Sequence, residues 1–540
     1  MKKMLLHVII GLSLLVADTG FSQAIEWSKC FGGSSTDDIY SAIETKDNGY
    51  IFCGYTKSSD GDLQHIPLHT NVGWFAKVDA FRSRQWQSFI DSCWLTKVFQ
   101  TKDGGYLIQA LDVSVNHKLG SHGGMDGWLQ KYSSEGVPQW QRFYGGSGYD
   151  IISTWTELPD SSILVTAGTN SIDGDLAPLQ LEQGSYNWLF TIAPDGTIKW
   201  QKVISSSGVG FSTVIPTSDN NFIGVGTITK TDESNPGFGN SDVWVIKMDR
   251  SGNTIWQKRF GGSAADGGGN ILETSDKGFV IAGSTKSEDG QVIGYHGHPA
   301  DQLAWSDLWV IKIDSAGKLE WQKTIGGTGE DSYLGINNNC VPMVLNQDKS
   351  IVIGISGGSA DGDFFDNHGA YDFSLVKLSS AGQLIWERSY GGGGWDNLES
   401  LIKTHDNNYL IGGRTSSSDG DIEGYKGGFP ISDTLGDGWL AKIKDPANVN
   451  SVASLSRDSY SVSPNPATDK LSIRIPNAEG RQHLTLASLL GVQVLHKEIQ
   501  GHGAQIMDVD MDIHDIPNGT YILNIESTAG ISAHTVLISR

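Results

Sequence analysis

Two recurring sets of aspartates are the residues of this chain whose type and spacing could bind a ligand. Members of the first set follow a Gly-Gly pair and stand ten residues after a recurring tryptophan; they are Asp37, Asp150, Asp266, Asp331 and Asp396. Thr96 and Gly210 occupy the same offset in two further units. Five such carboxylates could ring a polar ligand or a cation, or each could cap its own turn by accepting backbone N–H bonds. Because the aspartate recurs in most units, turn capping is the expectation, with a ligand face as the competing interpretation.

The second set has the pattern Asp-Gly-Asp, in loops that follow an apolar strand. Its members are Asp60 and Asp62, Asp173 and Asp175, Asp361 and Asp363, and Asp419 and Asp421, with Asp289-Gly290 as a partial copy. Carboxylates on either side of a glycine resemble part of a calcium-binding loop, but two of them fall short of the six to eight oxygen ligands that calcium takes. The twelve-residue pattern that ends in glutamate is also missing. Calcium is therefore one hypothesis for these loops, and an Asx-stabilised turn is the other.

Other residues with chemical potential lie in variable loops. His296 and His298 could bind a metal ion or transfer protons, although exposed loop histidines without such a role are more common. Trp305 and Trp395 stand outside the tryptophan register and are candidates for exposed, ligand-binding aromatics. The repeats contain no Gly-x-Ser-x-Gly, His-Glu-x-x-His or phosphate-loop motif, so the motifs give no support for catalysis.

The elements that must position these residues follow from a repeat. The tryptophans recur at intervals of 54 to 65 residues; they are Trp27, Trp86, Trp140, Trp200, Trp256, Trp321 and Trp386. Each unit adds three more short apolar runs separated by Asp-Gly and similar turns, which predicts four antiparallel strands per unit. Such units make an all-β, seven-bladed β-propeller over residues 25–446, in which the Trp27 strand completes the last blade. The tryptophans themselves are expected to pack between blades.

Composition and the N-terminus bound the function. The 540 residues carry a net charge of −22, which argues against nucleic acid and against anionic membranes as partners. Residues 1–24, with a basic start, a short apolar run and Ser22-Gln23-Ala24, predict a cleaved signal peptide and no transmembrane segment. The four cysteines (Cys30, Cys53, Cys93 and Cys340) have no metal-binding spacing and are expected as small buried residues.

A change of pattern marks the C-terminal part. Residues 447–459 read as a polar linker, and residues 460–540 as a small β-sandwich. The segments SVSPNPATDKLSI and IPNGTYILNI and a basic last residue resemble the C-terminal sorting domain of the type IX secretion system of the Bacteroidota. The residues that match its motifs are Pro464, Asn465, Pro466, Gly491, Gly519, Tyr521 and Arg540. The resemblance implies passage through the periplasm, recognition by the outer-membrane translocon, and release or attachment at the cell surface.

The function predicted from these features is that of an exported, non-enzymatic binding or adhesion propeller. It would present an acidic loop face to a glycan or a protein, with calcium if the Asp-Gly-Asp loops hold metal. A secreted carbohydrate-active enzyme, hydrolase or lyase, is the alternative and would need an asymmetric pocket with two carboxylates at the channel mouth. A structural spacer in a surface assembly is a third option.

Overall fold

In the computed structural model the regular secondary structure of the described residues is β-strand, apart from two short 3-10 helices, Gly61–Leu63 and Gly174–Leu179. The structure describes residues 25–64, 71–113, 122–206, 208–229, 239–297, 305–332, 341–364, 366–427, 435–445, 461–464, 466–475, 479–488, 493–502, 507–527 and 530–540. The predicted signal peptide and linker, together with Cys340, His298, Asn465 and Gly491, lie outside the described residues. The chain divides into two compact units, and the boundary falls between Ile443 and Lys444.

The first unit contains seven four-stranded antiparallel sheets, which are the blades of a propeller. The described part of this unit begins with β1 (Ile25–Phe31). Blade 1 holds β2 (Asp37–Glu44), β3 (Tyr50–Thr56), β4 (Val72–Val78) and β5 (Arg84–Asp91). Blade 2 holds β6 (Cys93–Gln100), β7 (Tyr106–Asp112), β8 (Gly127–Tyr132) and β9 (Pro138–Tyr144). Blade 3 holds β10 (Asp150–Glu157), β11 (Ile163–Thr169), β12 (Tyr186–Ile192) and β13 (Ile198–Ser206).

The other four blades repeat this order. Blade 4 holds β14 (Val209–Pro216), β15 (Phe222–Ile228), β16 (Asp242–Met248) and β17 (Thr254–Phe260). Blade 5 holds β18 (Asp266–Glu273), β19 (Phe279–Thr285), β20 (Asp307–Ile313) and β21 (Leu319–Ile325). Blade 6 holds β22 (Met343–Leu345), β23 (Ile351–Gly357), β24 (Asp372–Leu378) and β25 (Leu384–Tyr390). Blade 7 holds β26 (Asp396–Lys403), β27 (Tyr409–Thr415) and β28 (Asp437–Ile443) and is completed by β1.

The ring closes between the two ends of this unit. Strand β1 pairs antiparallel with β28, with Cys30 opposite Trp439 and Trp27 opposite Lys442. The N-terminal strand is therefore the outermost strand of the last blade, and this pairing covers an edge that would otherwise be open. First strands of successive blades contact one another, as β2 contacts β6 and β26, so they surround the central channel.

The blades pack through their third strands. Large apolar side chains of these strands face the neighbouring sheets. Six of the strands carry a tryptophan that is at most 3% exposed: Trp74, Trp128, Trp188, Trp244, Trp309 and Trp439. A lysine near the end of the strand reaches the aspartate of the hairpin between the first two strands, for example Lys247 to Asp219 at 2.6 Å. The pairing explains how a lysine can be buried in an apolar strand.

The second unit is a small sandwich of two sheets. One sheet contains β29 (Ser461–Ser463), β30 (Lys470–Ile475) and β33 (Met507–Asp512), and the other contains β31 (Glu479–Ser488), β32 (Gln493–His502), β34 (Gly519–Ser527) and β35 (Gly530–Ile538). Leu471 and Ile473 of the first sheet share one core with Leu486 and Leu523 of the second. Among the described residues, no helix is both long and apolar enough to cross a membrane.

Candidate functional site

The first aspartate of the repeat joins two loops on one face of the propeller. In blade 7, the Asp396 carboxylate accepts hydrogen bonds from the Gly392 amide (2.8 Å), the Thr415 hydroxyl (2.5 Å) and the Ser417 hydroxyl (2.7 Å). Gly392 lies in the turn that enters the blade, and Thr415 ends the second strand. The carboxylate therefore ties the turn between blades to the loop between strands two and three. We call this face the turn face.

The same arrangement recurs in four other blades. A turn amide donates to the aspartate at 2.7 to 2.9 Å in the pairs Gly33 to Asp37, Gly146 to Asp150, Gly262 to Asp266, and Gly327 to Asp331. All five carboxylates are at most 1% exposed, each among the loops of its own blade. Burial raises the pKa of Asp37 and of Asp331 to about 6, against the lowering effect of these hydrogen bonds. Their geometry is that of turn caps.

The Asp-Gly-Asp loops complete the same connection. Asp60 accepts from the Ser34 amide at 2.7 Å, and Asp62 accepts from the Gly32 amide at 3.2 Å. Gly61 between them has φ +60°, a left-handed conformation that glycine adopts without strain. Equivalent bonds from turn amides reach Asp173 and Asp175, Asp361 and Asp363, and Asp419 and Asp421. Within the described part of the chain, no group of three or more His, Cys, Asp or Glu side chains is placed to hold a metal ion. Calcium in these loops remains a prediction.

A further set of buried aspartates, which sequence reasoning missed, opens the third strands. Asp437 is fully buried and accepts from the Lys426 amide at 2.6 Å. A β-carbon on Gly32 would lie 2.8 Å from Asp437 Oδ1 and 2.6 Å from Asp37 Oδ2, so two buried carboxylates flank one glycine. Burial, with the charge of Asp37 as a further contribution, raises the pKa of Asp437 to about 7. Asp372 and Asp396 flank Gly391 in the same way.

His296 belongs to this second layer of contacts. Its Nδ1 lies 2.9 Å from the buried Asp307 carboxylate, and its Nε2 lies 3.8 Å from Asp363. His122 and His368 hold the equivalent positions against Asp126 and Asp372. The structure thus places His296 at a junction between blades rather than in a free loop.

The two tryptophans outside the register do reach the surface. Trp395 is 38% exposed and stacks on Tyr371, with ring centroids 4.8 Å apart and an interplanar angle of 26°. Trp305 is 41% exposed, and its carbonyl accepts a hydrogen bond from the Tyr295 hydroxyl. Both lie in turn-face loops and remain candidate contacts for a large ligand.

Beside the channel, one set of equivalent positions carries different residues from blade to blade. It consists, in the six blades other than blade 6, of the second residue of the first strand with its partner on the second strand: Asp38 with Tyr55, Trp94 with Leu111, Ile151 with Gly168, Gly210 with Thr227, Gly267 with Ser284, and Asn397 with Arg414. We call it the axial tier. The next residue is apolar and buried in five of these six blades (Ile39, Leu95, Ile152, Phe211 and Leu398). Five of these blades therefore share a buried apolar position, and all six present different pairs of residues at the axial tier.

Large side chains gather on one side of the axial tier. Tyr55 lies 5.5 Å from Trp94 and 5.7 Å from Tyr40, measured between ring centroids. Arg414 hydrogen-bonds to Tyr55, and its charge lowers the pKa of Asp38; burial has the larger effect and raises that pKa to about 7. We call Asp38, Tyr40, Tyr55, Trp94 and Arg414 the axial cluster.

Several polar atoms of the axial cluster are buried without a partner among the described residues, and so are atoms of Thr96, on the same strand as Trp94, and of Asn397, the cross-strand partner of Arg414. They are Asp38 Oδ1, Tyr40 Oη, Trp94 Nε1, Thr96 Oγ1 and Asn397 Oδ1. Tyr40 and Asp38 are each 2% exposed. An unpaired buried donor or acceptor costs about 1–3 kcal/mol, so each of these atoms calls for a partner such as an ordered water, an ion or a polar ligand.

The opposite side of the axial tier is open. Positions that would carry a side chain are occupied by Gly168, Gly210 and Gly267. A β-carbon on Gly168 or Gly210 would meet no heavy atom within 4 Å. The axial tier is therefore asymmetric. Aromatic and charged side chains fill the side formed by blades 1, 2 and 7, and glycines leave space on the side formed by blades 3, 4 and 5.

In the C-terminal unit, the last residue joins the motifs that sequence analysis singled out. The Arg540 guanidinium donates to the carbonyls of Ile516 (2.9 Å) and Thr468 (3.0 Å). Its amide donates to Asn518 Oδ1 at 3.1 Å. Of the other motif residues, Pro464 and Pro466 precede β30, Gly519 opens β34, and Tyr521 donates its hydroxyl to the Pro517 carbonyl.

The two units define an exported β-propeller protein with a sorting domain at its C-terminus. Residues 461–539 match the family described as the Secretion system C-terminal sorting domain. This is the sorting domain of the type IX secretion system, and it directs the protein out of the cell. One curated relative, "Regulatory protein FlaEY" of Caulobacter vibrioides, is 27% identical over 180 residues, which are 32% of this chain and 18% of that protein. The chain therefore spans less than a fifth of that relative.

Solved structures with a similar course of the chain include several propellers. The WD40 β-propeller domain of Doa1 is 10% identical, with a TM-score of 0.40 over 78% of this chain and 96% of that one. PorZ, a surface component of the type IX secretion system of Porphyromonas gingivalis, is 9% identical, with a TM-score of 0.28 over 93% and 81%. Puromycin hydrolase is 10% identical, with a TM-score of 0.42 over 83% and 60%.

Proposed function

We propose that this exported protein is a non-enzymatic binding propeller whose ligand enters the channel from the turn face and contacts the axial cluster. The observation that carries the proposal is the axial tier, where six blades present six different pairs of residues. Ligand sites on repeat scaffolds depend on such departures, because a rigid frame can then position variable side chains. After export the propeller acts in the medium or at the cell surface.

The turn face supports this role by being held rigid. Each of the five repeated aspartates holds the loops around it with three or more hydrogen bonds, as Asp396 does with Gly392, Thr415 and Ser417. We call this arrangement the aspartate lock. A site supported in this way loses little conformational entropy when a ligand binds. The net charge of −22 favours a neutral or cationic ligand.

The proposal is tested with arrays of glycans and extracellular-matrix proteins probed with the purified full chain and with Trp94→Ala. A matched control is Phe81→Ala, because Phe81 is an aromatic residue, 81% exposed, in the hairpin between the third and fourth strands on the opposite face. We expect array signals that the Trp94 variant loses and the Phe81 variant keeps. Signals that both variants keep would show that the ligand binds elsewhere.

A hydrolase that acts on carbohydrate is the second candidate, and one observation favours it. Burial raises the pKa of Asp38 to about 7, a value that would suit a general acid. A second carboxyl group lies near, because the charge of Glu399 adds to burial in raising the pKa of Tyr40, the neighbour of Asp38. To decide between binding and hydrolysis, the oligosaccharides that bind are incubated with the protein and analysed for shortened products. If shortened products form with the native chain and not with Asp38→Asn, the protein is a hydrolase and the proposal of a non-enzymatic binding propeller is wrong.

A further inference from the structure

We infer that the ligand of the axial site is a neutral glycan, one of whose sugar rings lies against Trp94 while its hydroxyls pair with the buried polar atoms of the axial cluster. This inference rests on the proposed function and specifies the ligand class of the same site. It depends on three observations: the mixed character of the unpaired polar atoms, the aromatic surface beside them, and the open half of the axial tier.

The unpaired atoms include donors and acceptors together. Trp94 Nε1 can only donate, Asp38 Oδ1 as a carboxylate can only accept, and the hydroxyls of Tyr40 and Thr96 can do both. An anionic ligand would satisfy the donors but would be repelled by Asp38. A cationic ligand would be repelled by Arg414, whose charge acts on the same carboxyl. Sugar hydroxyls donate and accept without net charge, so they match this set.

The aromatic groups supply the second element of sugar recognition. Tyr40 and Tyr55 are 2% and 6% exposed and contact Trp94, which is only partly buried. The two tyrosines fix the indole, and the indole keeps accessible surface. A rigid aromatic plane next to hydrogen-bonding groups suits a ring with one apolar C–H face and polar edges.

The open half of the axial tier gives the sugar room. Gly210 is exposed, and no heavy atom lies within 4 Å of the position that its β-carbon would take. The cross-strand partners on this side, Thr227 and Ser284, carry hydroxyls. A β-carbon on Gly267 would lie 3.2 Å and 3.4 Å from those hydroxyl oxygens, so they border the same space.

The test measures binding of a panel of neutral oligosaccharides of glucose, mannose, galactose, xylose and N-acetylglucosamine by isothermal titration calorimetry. The variants are Trp94→Ala, Trp94→Phe and Gly210→Leu, with Phe81→Ala as the control. We expect at least one oligosaccharide to bind the native chain. Trp94→Ala should weaken it roughly 30-fold, as truncation of an anchoring aromatic does, and Trp94→Phe should weaken it less, because the ring remains and only the N–H is lost. Gly210→Leu should weaken binding about as much as Trp94→Ala, because the leucine side chain would fill the open side of the axial tier.

The outcomes separate the inference from the proposed function. Melting temperatures within the error of the native value show that Gly210→Leu is folded, as the free space around Gly210 leads us to expect. A panel without any binder overturns the glycan inference, and so does a glycan bound equally by all variants. If a protein on the matrix array binds in a Trp94-dependent manner while every glycan fails, the binding propeller stands and the glycan assignment falls. Loss of Trp94 dependence for every ligand overturns both.

Discussion

The indole of Trp86, on the outermost strand of blade 1, lies against Gly136 in a hairpin of blade 2. A β-carbon on residue 136 would stand 2.9 Å from the indole ring, and the backbone there has φ +77°. The relationship recurs in the pairs Trp200 with Gly252, Trp256 with Gly317, and Trp321 with Gly382. The recurring tryptophan is thus a joint between successive blades, and the hairpin glycine is the surface it contacts.

Replacement of Gly136 by alanine should destabilise the propeller by about 1–3 kcal/mol, because the β-carbon meets both an unfavourable φ and the Trp86 ring. Gly104→Ala is the matched control: Gly104 has φ +86° but no heavy atom within 4 Å of its β-carbon position. The difference between the two melting temperatures isolates the contact between blades. An equal fall in melting temperature in both variants would mean that the contact between Trp86 and Gly136 contributes nothing to the stability of the propeller.

The aspartate lock should be a major source of stability for the turn face. Asp396→Ala removes three hydrogen bonds to a buried carboxylate, and we expect a loss of about 2–4 kcal/mol in the free energy of unfolding. The exposed Asp419 accepts a hydrogen bond from the Gly393 amide, so Asp419→Ala should cost less than about 1 kcal/mol. Chemical denaturation of both variants measures the difference, and a reversed order would contradict the lock.

The buried carboxyl groups predict a propeller that is more stable in mild acid than at neutral pH. Burial holds the pKa of Asp37 and Asp331 at about 6 and that of Asp437 at about 7, above the ordinary value of 3.8. Between these values the folded chain carries more protons than the unfolded chain. The free energy of unfolding therefore falls as pH rises through the window from about 4 to about 7. Melting temperatures measured across that window should be higher at pH 5 than at pH 7.5.

The junction of blades 7 and 1 offers a specific test of this pH dependence. Asp437→Asn can keep an oxygen for the Lys426 amide while it removes one of the two charges that flank Gly32. The variant should lose less stability between pH 5 and pH 7.5 than the native chain. An unchanged slope would show that the pair of Asp437 and Asp37 is not the source.

Calcium binding by the Asp-Gly-Asp loops can be measured directly. The carboxylates of Asp60 and Asp62 already accept hydrogen bonds from turn amides, so we expect the same melting temperature in calcium and in chelator. A ligand that binds only the folded state raises stability in proportion to the logarithm of its concentration. A concentration-dependent rise in calcium would establish the loops as metal sites.

The repeat was readable from the sequence because it is local and periodic. Trp27 and the strand that contains Trp439 could be paired by counting strands, since an unpaired first strand and an incomplete last blade complement each other. The axial cluster could not be found in this way, because Asp38, Trp94 and Arg414 come from three blades and occupy positions without a recurring residue type. Ring closure brings Arg414 next to Asp38, and no local spacing reports that contact. Where the repeated aspartate is present, the change of residue directly after it was the available signal, as at Asp38 and Asn397. Trp94 follows Cys93 instead of an aspartate, so blade 2 lacked that signal.

Arg540 should be required for the sorting domain to function. Arg540 holds the carbonyls of Ile516 and Thr468, so its guanidinium joins two segments that carry the sorting motifs. Arg540→Ala leaves those carbonyls without this partner and loosens the end of β35, whereas Lys470→Ala removes only a surface ion pair with Asp510. In the native host we expect the Arg540 variant to accumulate inside the cell and the Lys470 variant to be exported normally. Immunoblots of cell and medium fractions measure this, and normal export of the Arg540 variant would show that the translocon reads the fold without this joint.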